Sequence, residues 1–169
     1  TTVPDNAAGR SSAAGPVGAS GETASSGQAE PTVMPTTASA TLFYIALGDA
    51  GAEGQALGCG DSAIPVTSAA ITFTDPVEGA LRTLLADHSP RLGESKLVNA
   101  LWQSRLTVQS VDRTGPIITA HLGGTVSLAG ACDIPRMEQQ LMLTAGAAAG
   151  APVAVTINGK TLSAALSPK

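Results

Sequence analysis

The sequence predicts an α+β fold: a mixed β-sheet with two helices packed on one face, in the order β-β-α-β-β-α-β(β). Three observations predict it. Asp75-Pro76-Val77-Glu78 opens a run in which Val77, Leu81, Leu84 and Leu85 share one helical face. Cys132-Asp133-Ile134-Pro135-Arg136-Met137 opens a second such run. Each run is followed by strand-like sequence punctuated by turn residues.

Residues 1–40 are mostly Ala, Gly, Ser, Thr and Pro, and Val3, Val17, Val33 and Met34 are their only sizeable apolar side chains. So little apolar surface does not offset the entropy of ordering, so a disordered linker is expected here and a folded domain over 41–169. Thr41–Leu47 is apolar and β-prone, a first strand. Gly48–Gly60 is a glycine-rich loop. Ile64–Phe73 is extended, and Pro65, which has no N–H for a ladder, pushes its start towards a sheet edge.

Asp75 is placed to accept the orphan N–H groups of the first helix, Pro76 suits the first helical position, and Glu78 adds a capping-box partner. The helix is expected to run towards Asp87, with Ser89-Pro90 marking its end. Leu97, Val98, Leu101 and Trp102 suggest a short turn of helix on the core. Leu106–Val111 and Ile117–Leu122 alternate like strands, and Asp112-Arg113-Thr114-Gly115 supplies the turn between them. Gly123–Ala131 is a second loop. Asp133 is expected to cap the second helix, with Met137, Leu141, Thr144, Ala145 and Ala148 on one face and Gly150 and Pro152 stopping it. Val153, Val155 and Ile157 form another strand, and Asn158-Gly159 turns it into Thr161-Leu162.

Aromatic residues are only 2% of the chain, so the core must be built from aliphatic side chains. The net charge of −4 and a pI near 5.0 argue against nucleic acid as a partner and against a polybasic membrane patch. No run of 18 apolar residues is present, so no transmembrane segment is expected. No charged-then-apolar leader opens the chain, which is expected of a cytoplasmic protein or of a mature or engineered fragment whose signal has been removed, and the linker-like residues 1–40 favour the fragment. Cys59 and Cys132 lack C-x-x-C spacing, and with two histidines they do not make the usual zinc site. A disulfide is the preferred reading, and two buried free thiols are the alternative.

Several fragments of the chain resemble catalytic patterns but stand in the wrong context. Gly159-Lys160-Thr161 resembles the end of a phosphate-binding loop, but Ala154 stands where that motif needs glycine. Gly58-Cys59-Gly60-Asp61-Ser62-Ala63 loosely fits a dinucleotide fingerprint, yet the extended Ile64-Pro65-Val66 follows it; Gly60-Asp61-Ser62 resembles the first block of GDSL esterases, which also need a late Asp-x-x-His. Neither His88 nor His121 has Asp three residues before it. Asp49, Glu53 and Asp61 lack the ligand spacing of a calcium loop and read as a solvated turn. No catalytic, cofactor-binding or metal-ligating residue is therefore assigned, and no cofactor is expected.

The domain nevertheless resembles the GerMN domain, a module of bacterial sporulation and spore-germination proteins. The landmarks are Leu42-Phe43-Tyr44, the Pro76–Leu85 helix, the Leu106–Val111 and Ile117–Leu122 strand pair, the Arg136–Thr144 helix with Gln139-Gln140-Leu141, and Val153-Val155-Ile157-Asn158-Gly159. Gly146–Gly150 departs from the more apolar helix end usual there. The resemblance implies a ring-building-motif-like fold and an extracytoplasmic, membrane-anchored module of the cell envelope. It implies binding or assembly without catalysis, on an envelope protein or a cell-wall component, with residues 1–40 as tether. An oxidised Cys59–Cys132 pair fits that compartment. A low-motif cell-wall hydrolase is one alternative. A self-assembling homo-oligomer is another, pairing through sheet edges near Ile64 or Thr161-Leu162. The loops Gly48–Gly60 and Gly123–Ala131 end at the two cysteines, and binding is expected there first.

Overall fold

The computed structural model describes residues 34–167, and the folded unit begins at Pro35. Most of the expected linker lies outside the described residues. Its last part belongs to the fold: Thr36–Ala38 is a strand, β1, so the domain starts earlier than Thr41. These small residues carry too little hydrophobic signal to mark a strand, and pairing alone defines it.

Strand β2 covers Thr41–Ala46, β3 Gln55–Ala56, β4 Ser62–Thr67 and β5 Ile71–Phe73. The single extended run expected over Ile64–Phe73 is two strands. β1 pairs with β5 and β2 with β4, both antiparallel, and the register slips by one residue between the two ladders. Ala40 and Ser68 mark the break: the Ser68 N–H donates to the Ala40 carbonyl at 2.8 Å, and Ser68 Oγ accepts the Ala40 N–H at 2.9 Å. The β2–β4 ladder gains β3 on its far side only at Ser62 and Ala63, so β4 is central at its start and an edge from Ile64 onward, where Pro65 led an edge to be expected. Pro65 is tolerated because β3 reaches only Ser62 and Ala63, which leaves Pro65 unpaired on that side.

Helix α1 spans Pro76–Leu85. Asp75 caps it as expected, its Oδ1 accepting from Val77 N at 2.8 Å and Glu78 N at 3.3 Å. Glu78 does not close a capping box; it pairs with Arg82 one turn on. No helix forms from Leu97 to Trp102. The backbone there makes a bridge from Val98 to Ile45 and another to Arg91, which delivers buried Leu101 to the core.

Strands β6 (Arg105–Asp112) and β7 (Ile118–Thr125) form the expected hairpin. A bulge between Val108 and Ser110 resets the alternation, so Leu106, Val108 and Val111 are all drawn towards the core side. β7 continues through Gly123 and Gly124, residues expected to lie in a loop. Helix α2 covers Asp133–Ala149, and Gly150 ends it in the left-handed conformation at φ 69°. Cys132, not Asp133, occupies the cap position; Asp133 Oδ2 instead accepts from Ala129 N at 2.8 Å.

Strand β8 (Val153–Ile157) lies parallel to β7, and β9 (Lys160–Thr161) returns beside it across Asn158 and Gly159. Leu162 leaves the sheet for a short helix, α3 (Leu162–Ala165), and is buried. β9 is the outer strand of its sheet, with Lys160 and Thr161 exposed, so the edge expected from the sequence is present at Thr161 and stops before the buried Leu162. The fold is α+β, with three separate sheets where one was expected. The four-stranded sheet, β9-β8-β7-β6, is mixed. Leu106, Ala120, Leu122, Val153, Val155 and Ile157 are buried on one face, where α1 packs on β6 and α2 on β8. The core is aliphatic apart from Tyr44 and Met137.

Candidate functional site

Two loops expected to meet do meet. Cys59 and Cys132 lie at disulfide-bonding distance, with sulfurs 2.03 Å and Cα atoms 5.9 Å apart. This joins the end of the Gly48–Gly60 loop to the start of α2. Beside it, Arg136 Nε donates to Asp61 Oδ2 at 2.7 Å, and Arg136 Nη1 to Asp133 Oδ1 at 3.3 Å. Gly58 lies so near the Pro135 ring that an added Cβ would come within 3.1 Å of Cγ.

Asp61 is not part of a solvated turn. It is 2% exposed, and its second oxygen accepts the Gly48 N–H at 3.0 Å. Ser62 is fully buried, and its Oγ accepts from Gly51 N at 2.6 Å. The GDSL-like serine is thus bound into a loop scaffold. Asp49 and Glu53 remain at the loop surface, where Asp49 Oδ2 accepts from Glu53 N at 2.8 Å. That bond and others from Ser62 and Ala52 hold the Asp49 carboxyl below its ordinary range.

The histidines have separate surroundings. His88 Nδ1 lies 3.0 Å from Arg105 Nη1 and 3.3 Å from the Trp102 carbonyl, after α1. His121, on β7, is 2.8 Å from Thr156 Oγ1. Lys160 and Thr161 form β9 beyond a hairpin turn, and Thr161 caps the short α3 by accepting from Ala164 N at 3.3 Å.

Sequence reasoning missed Gln140 and Asn99, which are fully buried. Gln140 Oε1 accepts from Ala100 N at 2.9 Å, and its Nε2 donates to the Phe43 carbonyl at 2.9 Å and to Asn99 Oδ1 at 3.3 Å. Thr144 Oγ1 accepts from Phe43 N at 3.0 Å. Side chains of α2 thereby occupy the backbone groups along the outer edge of β2, which would otherwise invite another strand. The signal was present: Gln140 sits among Met137, Leu141 and Thr144 on the apolar helix face. Tyr44 closes the same region by donating to Asp87 Oδ2 at 2.9 Å, and burial followed by that carboxylate pushes its phenol pKa up.

Two surface concavities stand out. One is a groove of about 500 Å³ along the outer side of α2, lined by Phe43, Met142, Leu143, Ala147, Pro152 and Val153 among others. It is apolar, and Met142 within it is 39% exposed. The small Gly146 and Ala147, the departure noted in the sequence, leave the room for it. The other is a charged cleft between the Gly48–Gly54 segment and residues 91–97. Among the described residues, no helix is long and apolar enough to cross a membrane. No family model, curated protein or solved structure matches this chain.

Proposed function

We propose that this chain is a non-catalytic binding or assembly module of the bacterial cell envelope, acting outside the cytoplasm on an envelope protein or cell-wall component. The apolar groove on α2 is the observation that carries the reading. Its exposed Met142, with Phe43, Leu143 and Pro152 around it, offers a flexible apolar surface of the kind that receives a partner's helix or strand. The Cys59–Cys132 pair supports an oxidising compartment. The likeness to the GerMN domain supports the same assignment.

A photo-crosslinking residue at Met142 tests it, with Ala154 on the open face of the sheet as control. A partner should be trapped at 142 and not at 154, and Ala147→Glu should abolish the crosslink. Light scattering across concentrations separates a second copy from a different partner. Equal trapping at both positions, or turnover of a wall glycan or peptide lost on changing particular polar residues, would remove the proposal.

A further inference from the structure

We propose that the charged cleft binds a short peptide, recognising its free ammonium and its free carboxylate on opposite walls. The cleft is about 600 Å³, within the range of small-ligand sites, and is lined by Leu47, Asp49, Glu53, Arg91, Lys96 and Leu97 among others. It shares no lining residue with the apolar groove. The inference therefore goes beyond the docking proposed above and stands on separate observations.

The charges that line the cleft divide by sign between two loops, and Glu94, on the second loop, is not among them. Asp49 and Glu53 lie on the loop after β2; Arg91 and Lys96 lie on the loop that precedes Val98. Among the described residues, none of the four belongs to an ion pair, which is equally true of Asp87, Glu94, Arg105, Asp112, Glu138 and Lys160; what distinguishes the four is that they line one cleft, where Asp49 Oδ2 also accepts from Glu53 N at 2.8 Å. A ligand with one charge would satisfy one wall and face like charge or nothing on the other. A dipolar ligand satisfies both.

Both walls are held by the fold. Buried Asp61 and Ser62 accept the Gly48 and Gly51 N–H groups, and Ala50 N donates to the Gly60 carbonyl at 2.9 Å. The opposite loop is closed by Leu92 N to the Leu97 carbonyl at 3.0 Å and by Ser95 N to the Leu92 carbonyl at 3.0 Å. Reciprocal bonds between Ile45 and Val98, at 2.9 and 2.8 Å, fix that loop to the end of β2. Between the walls, Leu47 is 51% exposed, a bulky aliphatic side chain placed to meet small apolar ligand groups. A tripeptide, at most about 10 Å long when extended, is the shortest peptide that carries both termini and a residue between them.

The test is amide NMR titration of the disulfide-intact protein with Ala-Ala-Ala, its N-acetylated form, its C-terminal amide and its all-D enantiomer. The free tripeptide should shift the resonances of Leu47, Glu53, Arg91 and Lys96. Each cap should weaken binding by about two- to fivefold, the worth of one exposed ion pair. Glu53→Gln should remove the penalty of acetylation, and Lys96→Gln that of amidation. Preference for the D form assigns a wall stem peptide as the source, and preference for the L form a protein fragment. Met142→Glu, which disables the groove, should leave these affinities unchanged, so failure of the groove and failure of the cleft give distinct signals. Equal binding of free and capped peptides, shifts confined to other surfaces, or no shift at millimolar peptide would overturn the inference.

Discussion

Removing the Cys59–Cys132 link is the perturbation whose magnitude is best defined. The two residues are 73 apart in sequence. Closing a loop of that length restricts the unfolded chain enough to stabilise the fold by about 4 kcal/mol at 25 °C. The native side of the balance changes little. Cys59 is exposed and Cys132 half-buried, and Arg136 still reaches Asp61 at 2.7 Å. Cys59→Ala/Cys132→Ala should therefore keep the fold and lose about 4 kcal/mol, a fall in Tm of roughly 10–20 °C. Circular dichroism melts of the oxidised protein and the double variant measure this. Urea unfolding should also show a larger m for the variant, because its unfolded chain opens further. Two titratable thiols in the denatured, unreduced protein would refute the reasoning, as would a stability difference below about 1 kcal/mol.

Other outcomes follow from single side chains. Gln140→Leu leaves Ala100 N and the Phe43 carbonyl without their buried partner and should cost about 2–4 kcal/mol in denaturant titration, whereas Met142→Glu on the exposed side of the same helix should stay within about 0.5 kcal/mol. Gly124→Ala should lower Tm markedly: Gly124 has φ 130°, and an added Cβ would run into the Arg105 carbonyl oxygen. At Asp75, burial acts to raise the carboxyl pKa, but the Arg113 hydrogen bond and the Glu78 and Val77 N–H groups outweigh it and hold the pKa low. Its contribution is thus complete above the unfolded value near about pH 4 and is lost as pH falls through the depressed folded value. Asp75→Asn should flatten the stability profile in that acid range, measured by urea midpoints at successive pH values.

Local chemistry made several elements legible. Asp75-Pro76 marked a helix start because a carboxylate and a fixed φ suit that position wherever it occurs. Gly150 and Asn158-Gly159 were readable for the same reason, since positive φ angles of 69°, 53° and 80° favour those residue types. The Asp112–Gly115 turn also joined its two strands as expected, with Asp112 Oδ1 accepting from Thr114 N at 2.9 Å.

The candidate site was only partly readable. The glycine-rich composition exposed the Gly48–Gly54 loop but not the short strand β3 and the 3-10 turn at Gly58–Gly60 inside the expected span, and the cysteines suggested what pins it. The cleft needs residues 91–97 opposite that loop, and only the Val98–Ile45 bridge brings them there. The burial of Asp61 depends likewise on Arg136, far along the chain.

By itself, the sequence determined the α+β class, both main helices, the hairpin turns and an aliphatic core. Each follows from near-neighbour sterics, hydrogen bonding or apolar periodicity. Tertiary structure alone decided the division into three sheets, the shielding of β2 by Gln140 and Thr144, and the sorting of charge across the cleft. Those depend on which distant groups face one another once the chain has packed, and periodicity along a segment carries no record of its eventual neighbours.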